Sequence, residues 1–320
     1  MNEISAVKVD DAEDSLGSSS MKVGIAIPTY NEKANLQVLI DRLFKVFQTN
    51  NIRGRIVIVD DNSRDGTGQL ADKLAQKHEC ISVIHRPGKL GLGSAYKEAF
   101  QFLLKDPEVG VLMEMDADLS HEPEYIPSLL SKIEEGFDVV VGSRYVAEGG
   151  VDEEWAPMRR IISKSANFMT KLLVGLNVKD ATSGFRAYES YALKSIDLSK
   201  VRTNGYAFQI DMLFNCRNVG CEIAEAPIIF KERKHGASKL GSLAILEFVK
   251  TLESSFAGRI GSTIQYVCQS ASIWVTNSFW IGLRPLRTAI REANSPRVGA
   301  SKSLGEQALV YAKNAKAPQW

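Results

Sequence analysis

Composition marks this chain mainly by what it lacks. Four cysteines, at 80, 216, 221 and 268, are spread over 320 residues with no C-x-x-C pair. That spacing excludes a zinc ribbon or a dithiol redox motif and fits reduced, structural thiols in a cytosolic setting. The net charge is only +1, so nothing in the bulk electrostatics calls for nucleic acid, and none is expected as a partner. Residues 1–20 lack the basic region and apolar core of a secretory leader. Asp10, Asp11, Glu13 and Asp14 stand there instead, followed by serines, and a disordered tail is expected. There is no internal repeat. There is also no G-x-G-x-x-G and no P-loop Lys-Ser/Thr. Gly88-Lys89-Leu90-Gly91-Leu92-Gly93 has neither spacing and reads as a close turn into a helix, with Lys89 near a ligand.

What is present is a regular alternation. Hydrophobic residues make up 44% of the chain, enough for one large domain or two small ones. Short apolar runs at 22–27, 55–59, 81–84, 109–115 and 137–141 read as strands, the first of them buried on both faces. Between them, residues 66–77, 92–104 and 123–134 read as helices, as does the stretch carrying Leu36, Leu39, Ile40, Leu43, Phe44 and Phe47 at helical spacing. The pattern predicts an α/β fold with a mostly parallel sheet flanked by helices. Beyond it, 146–157 reads as an irregular, mobile loop, Arg159-Arg160 opens a long helix, 205–215 is helical, and 221–230 is a further strand. A dense basic loop, Lys231 to Lys239, follows that strand, and 240–256 is an apolar-rich helix. Residues 258–320 differ in character. Ile260 to Leu283 carries no charge, yet its Gln, Asn, Ser and Thr content makes it marginal as a membrane span, and Trp274, Phe279 and Trp280 suit an interfacial element equally well. The basic, small-residue-rich stretch from about 291 reads as a loose tail.

In sheets of this kind ligands bind beyond the carboxyl ends of the strands. Four of those ends carry polar clusters: Tyr30-Asn31-Glu32, Asp60-Asp61, Asp116-Ala117-Asp118 and Gly142-Ser143-Arg144-Tyr145. If the strands run parallel, all four lie on one rim. The pivotal stretch is Met113-Glu114-Met115-Asp116-Ala117-Asp118-Leu119-Ser120-His121. In extended chain, residues i and i+2 project to one side, so two carboxylates there repel unless a cation lies between them. A hard divalent ion, Mg²⁺ or Mn²⁺, which accepts oxygen ligands and keeps places for phosphate oxygens, is the natural guest.

Pro28-Thr29-Tyr30-Asn31-Glu32, Val59-Asp60-Asp61, Asp116-Ala117-Asp118, Gly142-Ser143-Arg144-Tyr145, Ser183-Gly184-Phe185-Arg186 and Arg233 to Lys239 stand in the order found in family 2 glycosyltransferases of the GT-A fold. Over residues 21–257 the chain most resembles the dolichyl-phosphate (polyprenyl-phosphate) mannose synthases of that family. The resemblance implies a GT-A domain over 21–257 and a membrane-associated C-terminal tail. It implies an inverting transfer of mannose from GDP-mannose to a dolichyl (polyprenyl) phosphate, making a lipid-linked sugar donor for glycosylation. Pro28, Tyr30, Glu32, Val59 and Asp61 would line the nucleotide pocket. Asp116, Ala117 and Asp118 would meet ribose, diphosphate and metal, with Ser120 standing where some members place a glutamine ligand. Arg144, Arg233 and Lys239 would bind donor and acceptor phosphates, and Arg159 would face the lipid phosphate. Asp116, Asp118 and Arg144 would be the catalytic set. Some members place a lysine at the position of Ala207, so that contact is absent here. Partners implied are the membrane surface and, as in some members, small membrane-anchoring subunits. The active site would face the cytosol, at the endoplasmic reticulum in a eukaryote or the plasma membrane in a prokaryote.

The implied chemistry is consistent with the residue types. A phosphate monoester acceptor has a second pKa of about 6 and is already largely ionised at neutral pH. It needs charge screening more than a general base, so a basic loop rather than a poised histidine would mark the site, and His121 and His235 are read as structural. Three rival readings stand beside this one. The first is transfer from UDP-glucose to undecaprenyl phosphate. The second is sugar-phosphate nucleotidyl transfer, which would call for a Gly-rich signature near the first strand. The third is a non-catalytic membrane scaffold.

Overall fold

A computed structural model describes residues 22–232, apart from 153, 154, 156, 202 and 204. The expected tails at 1–20 and 258–320, the helix at 240–256 and Cys268 lie outside the described residues, as do His235, Arg233 and Lys239 of the basic loop.

The first half alternates without exception. Strand β1 (Lys22–Thr29), helix α1 (Lys33–Thr49), β2 (Arg53–Asp60), α2 (Thr67–Lys77), β3 (Ile81–His85), α3 (Leu92–Leu103) and β4 (Val109–Glu114) follow one another. A 3-10 turn at Pro123–Tyr125 then leads into α4 (Ile126–Glu134) and β5 (Val139–Ser143). The helix expected from Pro123 onward therefore opens as a tighter turn, with one proline at its start and Pro127 at the entry to α4. Each proline lacks an N–H that the first turn of a helix would leave unpaired anyway.

The second half departs from the expected pattern. The stretch at 146–157 contains a short strand, β6 (Gly150–Val151), which pairs in parallel with β9 (Ile229–Phe230). Helix α5 spans Pro157–Val174, and β7 (Arg186–Glu189) and α6 (Ser190–Ser195) follow. Helix α7 covers Gly205–Asn218, and the single strand expected over 221–230 is divided into β8 (Ile223–Pro227) and β9.

The main sheet has seven strands in the order β3-β2-β1-β4-β7-β5-β8. Only β7 is reversed, antiparallel to β4 on one side and to β5 on the other. The remaining strands run the same way, so the carboxyl ends of β1, β2, β4 and β5 do lie on one rim. The order turns back between β1 and β4, and that switch point opens a crevice at the rim.

Two cores explain the apolar runs. Val23, Ile25 and Ile27 of β1, Ile56 and Ile58 of β2, and Val111 and Met113 of β4 pack under α1, α2 and α4. The alternate residues Ala26, Val57, Val59 and Leu112 pack under α3, α6 and α7. Both sides of each strand are covered, so the strands carry no polar alternation. Helix α1 buries Leu36, Leu39, Ile40, Leu43, Val46 and Phe47 along one stripe, each worth about 1.5–3 kcal/mol.

The glycine run at 88–93 behaves as a turn. Gly91 has φ +100°, which an L side chain resists, and it caps α3. At Gly93 a Cβ would come within 2.7 Å of both the Phe208 ring and the Thr203 carbonyl oxygen, so the glycine lets α3 and α7 approach closely.

Candidate active site

Three of the rim turns pass through the left-handed region. Asn31 (φ 57°) follows β1, Asn62 (φ 58°) follows β2, and Leu119 (φ 63°) follows the Asp116-Ala117-Asp118 stretch. Asparagine tolerates this conformation, whereas leucine does so at a cost. The turn at Leu119 redirects the chain just after the two aspartates.

The loops after β1 and β2 are stitched to each other. The Asn31 N–H donates to Ser63 Oγ at 2.9 Å, and the Arg64 N–H donates to Asn31 Oδ1 at 2.9 Å. The Glu32 N–H donates to Thr67 Oγ1 at 2.9 Å, and Lys33 N–H to Asp65 Oδ2 at 3.1 Å. Asp60, buried, accepts from the Thr29 hydroxyl and from the Ser63 N–H, and thus serves the turn. Asp61 is also buried and pairs with the buried Arg86. Arg86 further donates to Ser94 Oγ at 2.6 Å and to the Gly91 carbonyl at 3.1 Å, which locks the glycine turn against the rim. Lys89 lies 4.7 Å over the Tyr30 ring. Tyr30, Glu32, Asp61 and Lys89 are therefore gathered on one side of the crevice, with Pro28 half-buried at the end of β1. Val59 differs. Its side chain is wholly buried among the residues of the core under α3, because it precedes the rim by one residue of β2 and points into the sheet layer.

Asp116 and Asp118 leave β4 at the mouth of the crevice. The hydroxyl of Tyr96, on α3, donates to Asp116 Oδ1 at 2.9 Å. Burial first, then the charge of Asp116, raises the Tyr96 pKa well above its usual value, so the phenol stays protonated and is a firm donor. The ring is stacked on Phe208 at 6.0 Å and 7°. Asp116 Oδ2 faces Gly184, where a Cβ would lie 3.7 Å from it. Asp118 Oδ1 accepts the Ser120 N–H at 3.0 Å. Ala117 is buried between them.

Below Asp116, Glu114 is wholly buried and accepts from the Tyr188 hydroxyl at 2.9 Å. Burial pushes its pKa up to about 7, opposed by the charge of Arg186. Arg186 is itself fully buried. It donates to the carbonyls of Ala181 (2.8 Å), Ser183 (2.8 Å) and Gln209 (2.6 Å), so the last residue of the Ser183-Gly184-Phe185-Arg186 motif shapes the loop that faces Asp116.

The donor set suits a hard divalent ion that relies on its ligand's phosphates. Among the described residues no group of three or more His, Cys, Asp or Glu side chains could hold a metal. Two carboxylates plus diphosphate oxygens and water make a shell that Mg²⁺ or Mn²⁺ accepts. Ser120 is wholly buried, and its Oγ has no hydrogen-bond partner. That orphaned oxygen beside the Asp118 turn is the local feature a further ligand would satisfy. His121 is buried too, stacked on Phe185 at 5.3 Å and edge-on to Phe230 at 5.2 Å. Burial lowers its pKa and keeps the ring neutral at pH 7.

On the other side of the rim, Arg144 is buried and paired with Asp180. Its Nε and Nη2 each lie 2.6 Å from a carboxylate oxygen, and its backbone N–H donates to Oδ2 at 3.0 Å. Nη2 also reaches Thr182 Oγ1 at 2.9 Å. The guanidinium sits over Tyr145, Trp155 and Phe230. Burial would raise the Asp180 pKa, but the Arg144 charge and hydrogen bonds outweigh it and hold the carboxyl below its usual range. Arg144, expected to bind donor and acceptor phosphates, makes a bidentate pair with a carboxylate 36 residues on. Arg159 lies in the first turn of α5, and its side chain is outside the described set. The entry to the basic loop is placed, however. The Lys231 N–H donates to the Ser120 carbonyl at 3.1 Å, and its ammonium pairs with Glu122 at 2.7 Å. The chain that leads to Arg233 and Lys239 thus starts against the turn that carries Asp118.

Sequence reading missed Arg86, Tyr96 and Asp180. Arg86 follows β3 on the same rim, and its place at a strand end was the available signal. Tyr96 gave none, because it occupies an apolar position of α3.

The chain is similar to known proteins along most of its length. The profile of "Glycosyl transferase family 2" matches residues 24–197. The polyprenol monophosphomannose synthase of Mycolicibacterium smegmatis is 42% identical over 238 residues, covering 74% of this chain and 88% of that protein. The undecaprenyl-phosphate mannosyltransferase of Micrococcus luteus is 40% identical over 229 residues, covering 72% and 91%. Among solved structures, glucosyl-3-phosphoglycerate synthase from Mycobacterium tuberculosis, in complex with Mn²⁺, UDP-glucose and phosphoglyceric acid, shares the fold with a TM-score of 0.53. It does so at 17% identity, over 74% of this chain and 80% of that one. With a profile match over more than half its length and relatives at 40% identity or above, the chain belongs to glycosyl transferase family 2.

Proposed function

We propose that the protein is a polyprenyl-phosphate mannosyltransferase. It moves mannose from GDP-mannose to a polyprenyl phosphate of the dolichyl or undecaprenyl kind, with inversion at the anomeric carbon. The observation that carries this reading is the position of Asp116 and Asp118 at the crevice between β1 and β4, in a chain 42% identical to a polyprenol monophosphomannose synthase. Asp116 and Asp118 would hold Mg²⁺ or Mn²⁺, whose charge offsets that gained by the departing nucleotide diphosphate. The chain's own residues do the rest. Tyr96 fixes one oxygen of Asp116. Arg86 and Lys89 hold Asp61 and Tyr30 around the nucleotide side. His121, kept neutral by burial, is no candidate base, and none is needed by an acceptor already ionised at pH 7. Arg233 and Lys239, reached from Lys231, would screen the two phosphorylated reactants from each other. Arg144, through Asp180, shapes the acceptor side. The enzyme would work at a membrane surface, facing the cytosol, with small membrane-anchoring subunits as further partners.

The test is transfer of labelled mannose from GDP-mannose to a panel of polyprenyl phosphates, with and without chelator. Transfer that needs a divalent ion and prefers GDP-mannose over UDP-glucose is expected. Transfer from UDP-glucose alone, or undiminished transfer in chelator, overturns the assignment.

A further inference from the structure

Helix α7 ends on two cysteines that the transfer chemistry does not use. Cys216 lies in its last turn and is wholly buried in the core beneath the helix. Cys221 lies just past the helix end, half-buried, and packs against that same core. The helix end itself brings them together. The Cys221 N–H donates to the Cys216 carbonyl at 3.0 Å, and the Gly220 N–H donates to the Arg217 carbonyl at 2.9 Å. Gly220 turns through φ +82°, the left-handed conformation that only glycine adopts at no cost. Two such bonds around a left-handed glycine make a Schellman cap, in which the side chains at the two ends of the turn touch, usually as an apolar pair. Here both are thiols.

The Cys216 thiol is hydrogen-bonded to Cys221. That bond first, and burial second, raise its pKa well above the usual thiol range and keep it protonated. The chain beyond the cap is fixed too. The Glu222 N–H donates to the Asp138 carboxylate at 2.7 Å, and the Glu222 carbonyl accepts the Asp138 N–H at 3.0 Å, at the head of β5. The two sulfurs are thus held in place by a helix on one side and a sheet edge on the other. Backbones joined by a direct hydrogen bond, with their side chains in contact, meet the proximity that an S–S bond requires. No C-x-x-C motif announces the pair, because the cap closes a spacing of five residues. Cys80 gives the contrast. It is also half-buried, but it precedes β3, and β3 and β8 are opposite edges of the main sheet.

We infer that Cys216 and Cys221 form a reversible dithiol–disulfide site, oxidised by a low-molecular-weight disulfide. Cys221 acts first, because it meets the solvent and Cys216 lies behind it. Its thiol releases a proton to water, its sulfur attacks one sulfur of the oxidant, and the other half of the oxidant leaves as a thiolate. Cys216 then loses its proton to water and attacks Sγ of Cys221. The protein S–S bond forms, and the second half of the oxidant leaves as a thiolate. Both departing thiolates take up a proton. Two protein thiols are oxidised to one disulfide, and one external disulfide is reduced to two thiols. The geometry suits the second step. Exchange needs the attacking, central and leaving sulfurs in line, so an attacker from the core expels its leaving group toward water. The bond that kept Cys216 protonated is also weakened once Cys221 is a disulfide sulfur, a poorer acceptor than a thiol. Where thiols are otherwise kept reduced, a pair of this kind is a transient, redox-sensing disulfide. The inference is independent of the transfer reading, since the site is tested without nucleotide sugar.

The experiment uses the full chain, reduced, then incubated with oxidised glutathione, blocked with N-ethylmaleimide and mapped by mass spectrometry after non-reducing trypsin digestion. Trypsin cuts after Arg217, between the two cysteines, so the disulfide holds the peptides Thr203–Arg217 and Asn218–Lys231 together as one species. The expected result is that this linked pair becomes the main form of both peptides and is released by dithiothreitol. Cys216→Ser should stop the reaction at a glutathione adduct on Cys221, and Cys80→Ser should leave the linked pair unchanged. If a thermal melt shows that Cys216→Ser does not fold, Cys221→Ser takes its place, with loss of the linked pair and an unmodified Cys216 expected. A lasting glutathione adduct on Cys221 of the unaltered chain overturns the inference. So does a chain in which neither cysteine reacts, or in which either one pairs with Cys80 or Cys268.

Discussion

The two sides of the crevice are held in different ways. On the side proposed to take the nucleotide, the loops after β1 and β2 are joined by short contacts between side chains and backbone, Asn31 to Ser63 and Arg64, and Glu32 to Thr67, next to the buried pair of Asp61 with Arg86. On the side proposed to take the acceptor, the turn after β5 is held chiefly by a buried ion pair, Arg144 with Asp180, reaching across 36 residues to the loop before β7. A set of modest, partly exposed hydrogen bonds is redundant, and loss of one leaves the others. A buried bidentate pair is not, because removing one partner leaves an uncompensated charge out of reach of water. The turn after β5 should therefore fail all at once and the seam between the β1 and β2 loops by degrees, the buried Asp61–Arg86 pair being the brittle point beside that seam.

The largest expected effect tests what both sides share. Asp118→Ala should lower metal-dependent mannosyl transfer by about a thousandfold while the thermal melt changes little. Near-normal turnover would mean that the mouth of the crevice is not where the reaction occurs. Next, Asp180→Ala should cost about 3–5 kcal/mol of unfolding free energy in a urea titration. A loss under about 1 kcal/mol would erase the contrast between the two sides.

The same pair gives a pH signature. The Asp180 carboxyl is depressed in the folded protein. Its contribution is complete above the ordinary aspartate value of 3.8 and is lost as pH falls below that toward the folded pKa. Asp180→Asn should flatten this acid limb, measured as the difference in unfolding free energy between the variants through the acid range. If both proteins lose stability in parallel, the limb belongs to other carboxylates.

On the nucleotide side, Thr67→Val removes the acceptor for the Glu32 N–H and should cost about 1 kcal/mol, with a modest loss of nucleotide affinity in a binding titration. A loss comparable to that of Asp180→Ala would show that this seam is as brittle as the buried pair. The smallest effect lies far from the rim. Lys22, at the start of β1, pairs with Asp106 at 2.8 Å near the surface, and Lys22→Ala should cost under about 1 kcal/mol and leave transfer unchanged.

Residue patterns made the nucleotide side readable and the acceptor side hard to read, for a related reason. β1, β2 and β4 are runs such as Val-Gly-Ile-Ala-Ile, buried on both faces, β3 is a short apolar edge strand, and each helix between them carries its own apolar stripe. Such signals are local. In the second half, β7 is four residues long and lies directly after the Ser183-Gly184-Phe185-Arg186 motif. Its sequence, Arg-Ala-Tyr-Glu, owes its place to Arg186 and Tyr188 being satisfied in the interior by Glu114 and by loop carbonyls. No local pattern announces partners 74 residues away. Strand β6 escaped notice likewise, since two residues, Gly150 and Val151, become a strand only because β9 lies alongside.

The order of motifs by itself determined the family, and the alternation of apolar strands and amphipathic helices determined a parallel sheet whose polar strand ends share a rim. Those properties follow from periodicity and chain direction, which are written residue by residue. Only the tertiary structure decided which charged rim residues are already spoken for. Arg144 and Asp61 were candidates for the ligand through the motifs that carry the family resemblance, and their buried partners Asp180 and Arg86 became visible only when distant segments met. A charge in a low-dielectric site must be matched, and what matches it depends on who is near in space rather than in sequence.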